Sequence, residues 1–342
     1  MGRNTTAGIQ AEIAKGIFRP HTALTNMALA YYQNAANYFA KALFPTCPVE
    51  LSSNNYYVFS KEDLLRDNWK RKPAYGMVDP TVVGEGSETY VCKVDQMRMG
   101  IDQIRQTDLS RRQGPVTMQP KMQRVKTMAE QANIHQDRLF AENYFKEGAW
   151  ENEFEGVDST APSTGQFIKF SNANSDPIAF IDKEKTSMNQ NTGRMPNRLG
   201  LGINVFNALK IHPGILERVK YGGSTANPAS VTENVLAQLF GVEKIVVLKS
   251  IMNSADMGED ENMQYIGDPN AFLLAYATNT PSIEEPSAGY IFTWDMLGDG
   301  QLLPILNYLG ENGTHAEYVE GLMATDMHKT SDDLARFYKA AV

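Results

Sequence analysis

Residues 121–150 read KMQRVKTMAEQANIHQDRLFAENYFKEGAW, with no proline or glycine before Gly148. Met122, Val125, Met128 or Ala129, Ala132, Leu139 and Phe140 recur at three- and four-residue spacings, which places them along one side of a helix. Glu130, Asp137, Arg138 and Lys146 are left for solvent. At about 1.5 Å per residue, some 27 residues would span roughly 40 Å, longer than the average globular helix. The stretch predicts a strut.

Upstream, the pattern changes period. Asn54-Asn-Tyr-Tyr-Val-Phe59 is a short aromatic strand followed by the charged segment Lys61 to Lys72. Tyr90, Cys92 and Val94 then alternate with Val91, Lys93 and Asp95, the period-two signature of extended chain, with Gly84 and Gly86 in a plausible turn just before them. A two-stranded excursion with polar residues on both sides buries too little to stand alone and needs a surface to lie on. Further upstream, the run from Thr25 to Phe44 has Leu29, Tyr32, Ala36, Phe39 and Leu43 at helical spacing, and Pro45 and Pro48 stop it. The first twenty residues, with Gly2, Gly8, Gly16 and Pro20, read as an arm.

Downstream of a Ser/Thr/Pro/Gly-rich joint at 157–165, helices and strands alternate. Asp176-Pro177 opens a helix reaching about Asn191. Leu199 to Val205 is a strand leading into a helix or turn, and Pro213 to Tyr221 is a short helix. Thr232 caps ENVLAQLF, which Gly241 closes. Glu243 to Lys249, Ala271 to Ala277 and Tyr290 to Trp294 are strands rich in β-branched or aromatic residues, giving a mixed α/β domain between about 160 and 295. In the tail, Tyr318 to Met323 reads as a strand and Ser331 to Ala341 as a helix with Leu334, Phe337 and Tyr338 on one face.

Composition bounds the function. The chain has 342 residues, 42% of them hydrophobic, which suffices for a buried core almost throughout. Its net charge of −8 lacks the basic excess that dedicated readers of nucleic acid carry. No signal peptide and no apolar run of membrane-spanning length occurs, so a soluble protein made inside a cell, without membrane contact, is expected. Cys47 and Cys92 have no framework or metal spacing, and the five histidines form no ligand pair. Gly84-Glu-Gly86 and Gly200-Leu-Gly202 lack the remainder of a phosphate loop; the second reads as a close approach of backbones. Asp256-Met-Gly-Glu-Asp-Glu261 reads as a solvated loop. No catalytic, cofactor-binding or metal residue is assigned, and no cofactor is expected. The basic residues Lys61, Arg66, Lys70, Arg71 and Lys72, interleaved with Trp69 and Tyr75, predict contact with an acidic patch on a neighbouring subunit or with nucleic acid, a solvated loop being the plain alternative. Arg105, Arg111 and Arg112 extend the same belt.

Several stretches together resemble the tailed-bacteriophage major capsid protein family, with its Hong Kong 97-type fold. They are Pro48-Val-Glu50 with Tyr56-Tyr-Val-Phe59, Thr192-Gly-Arg-Met-Pro-Asn197, His212-Pro213 with Val219-Lys-Tyr221, Leu236-Ala-Gln-Leu-Phe-Gly-Val242 with Val246-Val247, and Pro286-Ser-Ala-Gly289 leading into Phe292-Thr-Trp294. Their order and spacing carry the weight. The resemblance implies an α+β chain with an N-terminal arm and helix (1–54), an extended β-hairpin loop (55–110), a peripheral domain with a long spine helix (111–158), a mainly axial mixed α/β domain (159–305) and a C-terminal return to the peripheral domain (306–342).

It also implies a structural protein and not an enzyme, one that assembles as hexamers and pentamers into an icosahedral head around double-stranded DNA. Trp69, Tyr75, Tyr90 and the basic residues from Lys61 to Lys72 would then lie between subunits, the alternative for each aromatic being local packing within its own subunit. The implied partners are further copies of the chain, a separate scaffolding protein, a portal at one vertex, a decoration protein and packaged DNA held without sequence-specific contact. The implied place is the virion, after assembly in the host bacterial cytoplasm. Two other readings stay open on the residues alone. One is a small-molecule enzyme with a pocket near Gly200 to Asn204 and His212; the other is a different ring- or shell-forming structural protein.

Overall fold

The computed structural model describes residues 38–59, 61–72, 74–82, 84–104, 107, 120–222, 231–256, 258–279, 285–297, 302–311 and 313–342. A single helical turn, α1 (Ala40–Leu43), leads into β1 (Thr46–Val49) and β2 (Ser53–Phe59). A second turn, α2 (Lys61–Leu64), precedes β3 (Glu85–Val91) and β4 (Lys93–Asp102), and the long helix α3 (Pro120–Tyr144) follows. Then come β5 (Glu153–Val157), β6 (Gln166–Ile168), α4 (Pro177–Thr192), β7 (Arg198–Gly202), α5 (Ile203–Ile211), α6 (Pro213–Gly222), α7 (Glu233–Phe240) and β8 (Lys244–Leu248). The chain continues through β9 (Ile251–Asn253), β10 (Met263–Tyr265), β11 (Phe272–Ala275), β12 (Gly289–Trp294), β13 (Ile305–Leu309) and β14 (Ala316–Lys329). It closes with a 3₁₀ turn (Asp332–Leu334) and β15 (Ala335–Lys339).

Two sheets carry most of these strands. In the five-stranded sheet, the 14-residue β14 pairs antiparallel with β4 along Ala316 to Thr325, with β13 along Glu317 to Gly321 and with β12 along Thr325 to Lys329, while β1 runs parallel to β12. Helix α3 lies on one face, burying Val125, Met128 and Ala129 against Ile101, Ile305, Val319 and Met323. Its 25 residues give a rod of about 37 Å. It stops at Tyr144, short of Trp150, and the chain reverses so that Trp150 Nε1 donates to the Tyr144 carbonyl at 2.8 Å.

The six-stranded sheet has the order β6-β5-β15-β11-β7-β8 and packs with the later helices around Phe167, Phe170, Leu201, Phe240, Phe272 and Tyr338. The expected caps are in place. Asp176 accepts from the Ile178 and Ala179 amides with Pro177 in the first turn, Thr232 Oγ1 accepts from Val235 N, and Gly241 closes α7 at φ 59°.

Four expectations change. The Thr25–Phe44 helix is α1 alone among the described residues, and 25–37 lie outside them. The strand Tyr290–Trp294 belongs to the five-stranded sheet with α3, not to the mixed sheet. Gly86 is not a turn residue but pairs with Val58 inside the β2–β3 ladder, and the excursion closes through 60–84. Residues 331–341 form a turn and a strand instead of a helix. In β15, Phe337 joins one apolar cluster and Tyr338 another, so both faces are covered, and a run that is buried on every side has no period to read.

Candidate subunit-contact surface

Strands β2 and β3 pair from Ser53–Val91 to Phe59–Glu85, and the hairpin is rooted on the uncovered face of the five-stranded sheet. The Tyr90 ring stacks on Phe292 at 4.7 Å, and Tyr56 lies 5.7 Å from the same ring. Tyr56 hydroxyl donates to Glu88 Oε2 at 2.5 Å; burial, then that carboxylate, pushes its ionisation well up. Val91 N donates to Asp326 Oδ2 at 2.9 Å, Cys92 N to the Ser52 carbonyl at 2.8 Å, and Lys61 pairs with Asp333 beyond β14. These contacts fix the hairpin's direction, and none of those named reaches its outer part, whose described residues run 62–72, 74–82 and 84.

That outer part carries most of the residues singled out in the sequence. Arg66, Trp69, Lys70, Arg71, Lys72 and Tyr75 are all exposed, Trp69 to 95%. Asp67 Oδ1 accepts from Trp69 N at 3.0 Å, and Gly84 N donates to Asp63 Oδ2 at 2.9 Å, so the loop has internal shape. A cavity of about 420 Å³ opens between Asn68, Trp69 and Lys70 on one side and Val78 and Thr81 on the other. Tyr75 sits at φ 63°, a conformation an aromatic side chain rarely adopts, with its ring turned to solvent. Lys61 stands at the root and is engaged by Asp333. Arg105, Arg111 and Arg112 lie outside the described residues.

Tyr90 follows the other reading left open for it: at 6% exposure it is buried in the chain's own core, and its ring serves the hairpin's root. Conversely, Leu64, Leu65, Met77 and Val82 on the same loop are exposed, which the sequence did not suggest. A Leu-Leu pair beside charges reads equally as core or surface, and only its exposure among the described residues decides. Bare tryptophan, methionine, leucine and valine grouped on one projection form the kind of apolar patch that marks a protein–protein contact.

The spot where a small-molecule pocket was expected, near Gly200 to Asn204 and His212, is closely packed. His212 is buried and its Nδ1 accepts from Gly214 N at 3.2 Å, so the ring proton sits on Nε2 and points to Ser175 Oγ at 3.1 Å. The Ser175 hydroxyl donates to the Asn172 carbonyl at 2.7 Å. The imidazole is thus a donor to this serine and not its base. Cβ atoms at Gly200 and Gly202 would stand 3.0 Å from Leu43 Cδ1 and 2.4 Å from the Pro269 carbonyl, so this pattern is close packing, as its sequence suggested, and leaves no room for a ligand. Among the described residues no three His, Cys, Asp or Glu side chains gather as metal ligands.

No family model matches the chain. The major capsid protein of Burkholderia phage BcepMu is 26% identical over 231 residues, 67% of this chain and 68% of that one. A solved phage-related protein of Bordetella bronchiseptica RB50 superposes with a TM-score of 0.70 at 21% identity, covering 95% of this chain and 98% of its own. The virus-like particle of Pyrococcus furiosus superposes at 0.50 and 12% identity, covering 93% and 98%. The likeness to tailed-phage major capsid proteins is thus met in sequence and again in fold. Its mixed α/β architecture resembles the Hong Kong 97-type capsid folds.

Proposed function

We propose that this chain is the shell subunit of a tailed-phage head, assembling as hexamers and pentamers into an icosahedral shell around double-stranded DNA, with the tip of the β2–β3 hairpin laid on a neighbouring copy. The observation that carries the reading is the contrast within that hairpin. Its root is buried through Tyr56 and Tyr90, while its tip exposes Trp69, Met77 and Val82 beside Arg66 and Lys70 to Lys72. One shell sequence must occupy slightly different angles, and a projecting two-stranded arm bends without breaking a core. Many modest contacts then add through multivalency.

In this reading the six-stranded sheet with α4 to α7 is the axial domain, the five-stranded sheet with α3 as spine is the peripheral domain, and β15 joins the axial side. Residues Arg66, Trp69, Lys70, Arg71, Lys72 and Tyr75 form the contact, and Lys61 orients it. A separate scaffolding protein, a portal, a decoration protein and packaged DNA complete the particle in the virion, after assembly in the host cytoplasm.

Electron microscopy of the purified protein with mass measurement in solution tests this. Closed shells or rings of five and six are expected, and a stable monomer at assembly concentrations would overturn the reading. Replacing 62–83 by a two-glycine link should leave a folded chain that no longer closes shells. Loss of folding would show that the tip belongs to the subunit's own core.

A further inference from the structure

The four-residue helix α1 is too short to persist by itself, yet it is among the most heavily held elements of the chain. At its amino end, Asp137 of α3 accepts from Phe39 N at 3.1 Å and Ala40 N at 2.9 Å, and also from Ser250 Oγ. At its carboxyl end, Arg198 of β7 donates through Nη1 to the Ala42 carbonyl at 2.8 Å and the Leu43 carbonyl at 3.2 Å. The same guanidinium reaches the Thr278 carbonyl at 2.9 Å and Asn279 Oδ1 at 3.2 Å. Both charged side chains are buried, an anion at the amino end and a cation at the carboxyl end, which is the arrangement the peptide dipoles favour.

The side chains of this segment enter slots made by missing side chains. A Cβ on Gly200, in the six-stranded sheet, would stand 3.0 Å from Leu43 Cδ1. A Cβ on Gly289, in the five-stranded sheet, would stand 2.4 to 2.8 Å from the Phe44 ring, which also packs edge-on against Phe140 of α3 at 4.9 Å. Just beyond, Ile291 N donates to the Pro45 carbonyl at 3.0 Å. No strand of one sheet pairs with a strand of the other among the described residues. The two sheets meet through an apolar cluster to which the segment contributes Phe39, Ala40, Leu43 and Phe44, facing Leu248 and Leu273 of one sheet and Ile291 of the other.

We propose that residues 39–44 form a bolt whose seating in the Gly200 and Gly289 slots sets the angle between the two sheets, so that each subunit's shape is adjusted at this joint. Both sheets and the long helix touch the segment, and none can turn relative to the others without moving Leu43, Phe44 or the two buried charges. The angle is a property of the single chain; its use to fit different shell positions rests on the proposed function.

The test is made on the unassembled chain, so its outcome does not depend on whether shells form. Spin labels are placed at Lys93→Cys on β4 and Asp182→Cys on α4, both exposed, with Cys47 and Cys92 replaced by alanine, and the distance between them is measured. Gly289→Ala should shift that distance and speed amide exchange at 39–44 by about tenfold to a hundredfold, the effect of overpacking one methyl. Adding Phe44→Leu should return both readouts toward the parent. Phe44→Leu alone, which slackens the bolt without a clash, should broaden the distance distribution. The proposal is overturned by an unmoved distance in Gly289→Ala, by a double variant that stays displaced, or, where Gly289→Ala does not fold, by a narrow and unmoved distribution in Phe44→Leu.

Discussion

Replacing Asp137 separates two contributions that the structure puts on one carboxylate. Burial pushes its ionisation up to about 6 from an ordinary 3.8, against the opposing pull of Ser250, the Ala40 and Phe39 amides and Lys41. A difference of about two units corresponds to at most about 3 kcal/mol. Because the folded-state value is raised, that contribution is present below about pH 4 and is lost as pH rises through 6. Relative to Asp137→Asn, which cannot titrate, the parent chain should therefore lose up to about 3 kcal/mol between pH 4 and pH 7. For 342 residues this is about 4 °C in melting temperature.

Lys41, which burial pushes down to about 6 while Asp137 pulls it back up, titrates nearby with the opposite sign and would lose that pull in Asp137→Asn, so all the compared chains carry Lys41→Met. Asp137→Ala removes the acceptor altogether and orphans the Phe39 and Ala40 amides, so it should melt below Asp137→Asn by about 1–3 kcal/mol at every pH. Thermal unfolding of the three chains from pH 4 to 8 reads both quantities. Parallel pH curves for parent and Asp137→Asn would refute the buried titration, and equal stability of the Asn and Ala variants would refute the cap.

Trp69→Ala and Tyr90→Ala should part company. The first should leave the subunit's stability within about 0.5 kcal/mol while weakening shell formation seen by light scattering, and the second should cost about 3–5 kcal/mol in urea unfolding. Reversing Lys70, Arg71 and Lys72 to glutamate should slow assembly and reduce its dependence on salt, as followed by scattering from 50 to 300 mM salt. Arg336→Met should cost about 3–5 kcal/mol by leaving Glu184 buried without its partner at 2.5 Å, whereas Glu184→Met with Arg336→Met should cost less than either change alone. Chemical denaturation of the three variants checks the order.

Much of the architecture is local and could be read before any coordinates. The long helix, the β2 and β3 strands, the Asp176 and Thr232 caps and the Gly241 stop are set by periodicity and by side chains within a few residues of the backbone groups they serve. The aromatic and basic loop at 61–75 was legible for the same reason, since its composition is incompatible with a core. The fold family was legible from the order of short stretches along the chain.

What periodicity reports is which side of an element is apolar, never what covers it. Asp137 reads as a solvent-facing residue of an amphipathic helix, and it is buried because α1 and Ser250, about a hundred residues away on either side, bring their donors to it. Tyr90 and Trp69 are indistinguishable as interleaved aromatics until Phe292 lies against one and the other stands exposed among the described residues. The assignment of β12 to one sheet and β15 to the other, and the slots at Gly200 and Gly289, likewise exist only once distant segments meet. The sequence by itself determined the long helix, the capped helices and the charged, aromatic character of the loop at 61–75. The tertiary structure alone decided which aromatics root that hairpin and which buried charges lock the joint, because both depend on contacts whose partners are set by topology and not by neighbours in the chain.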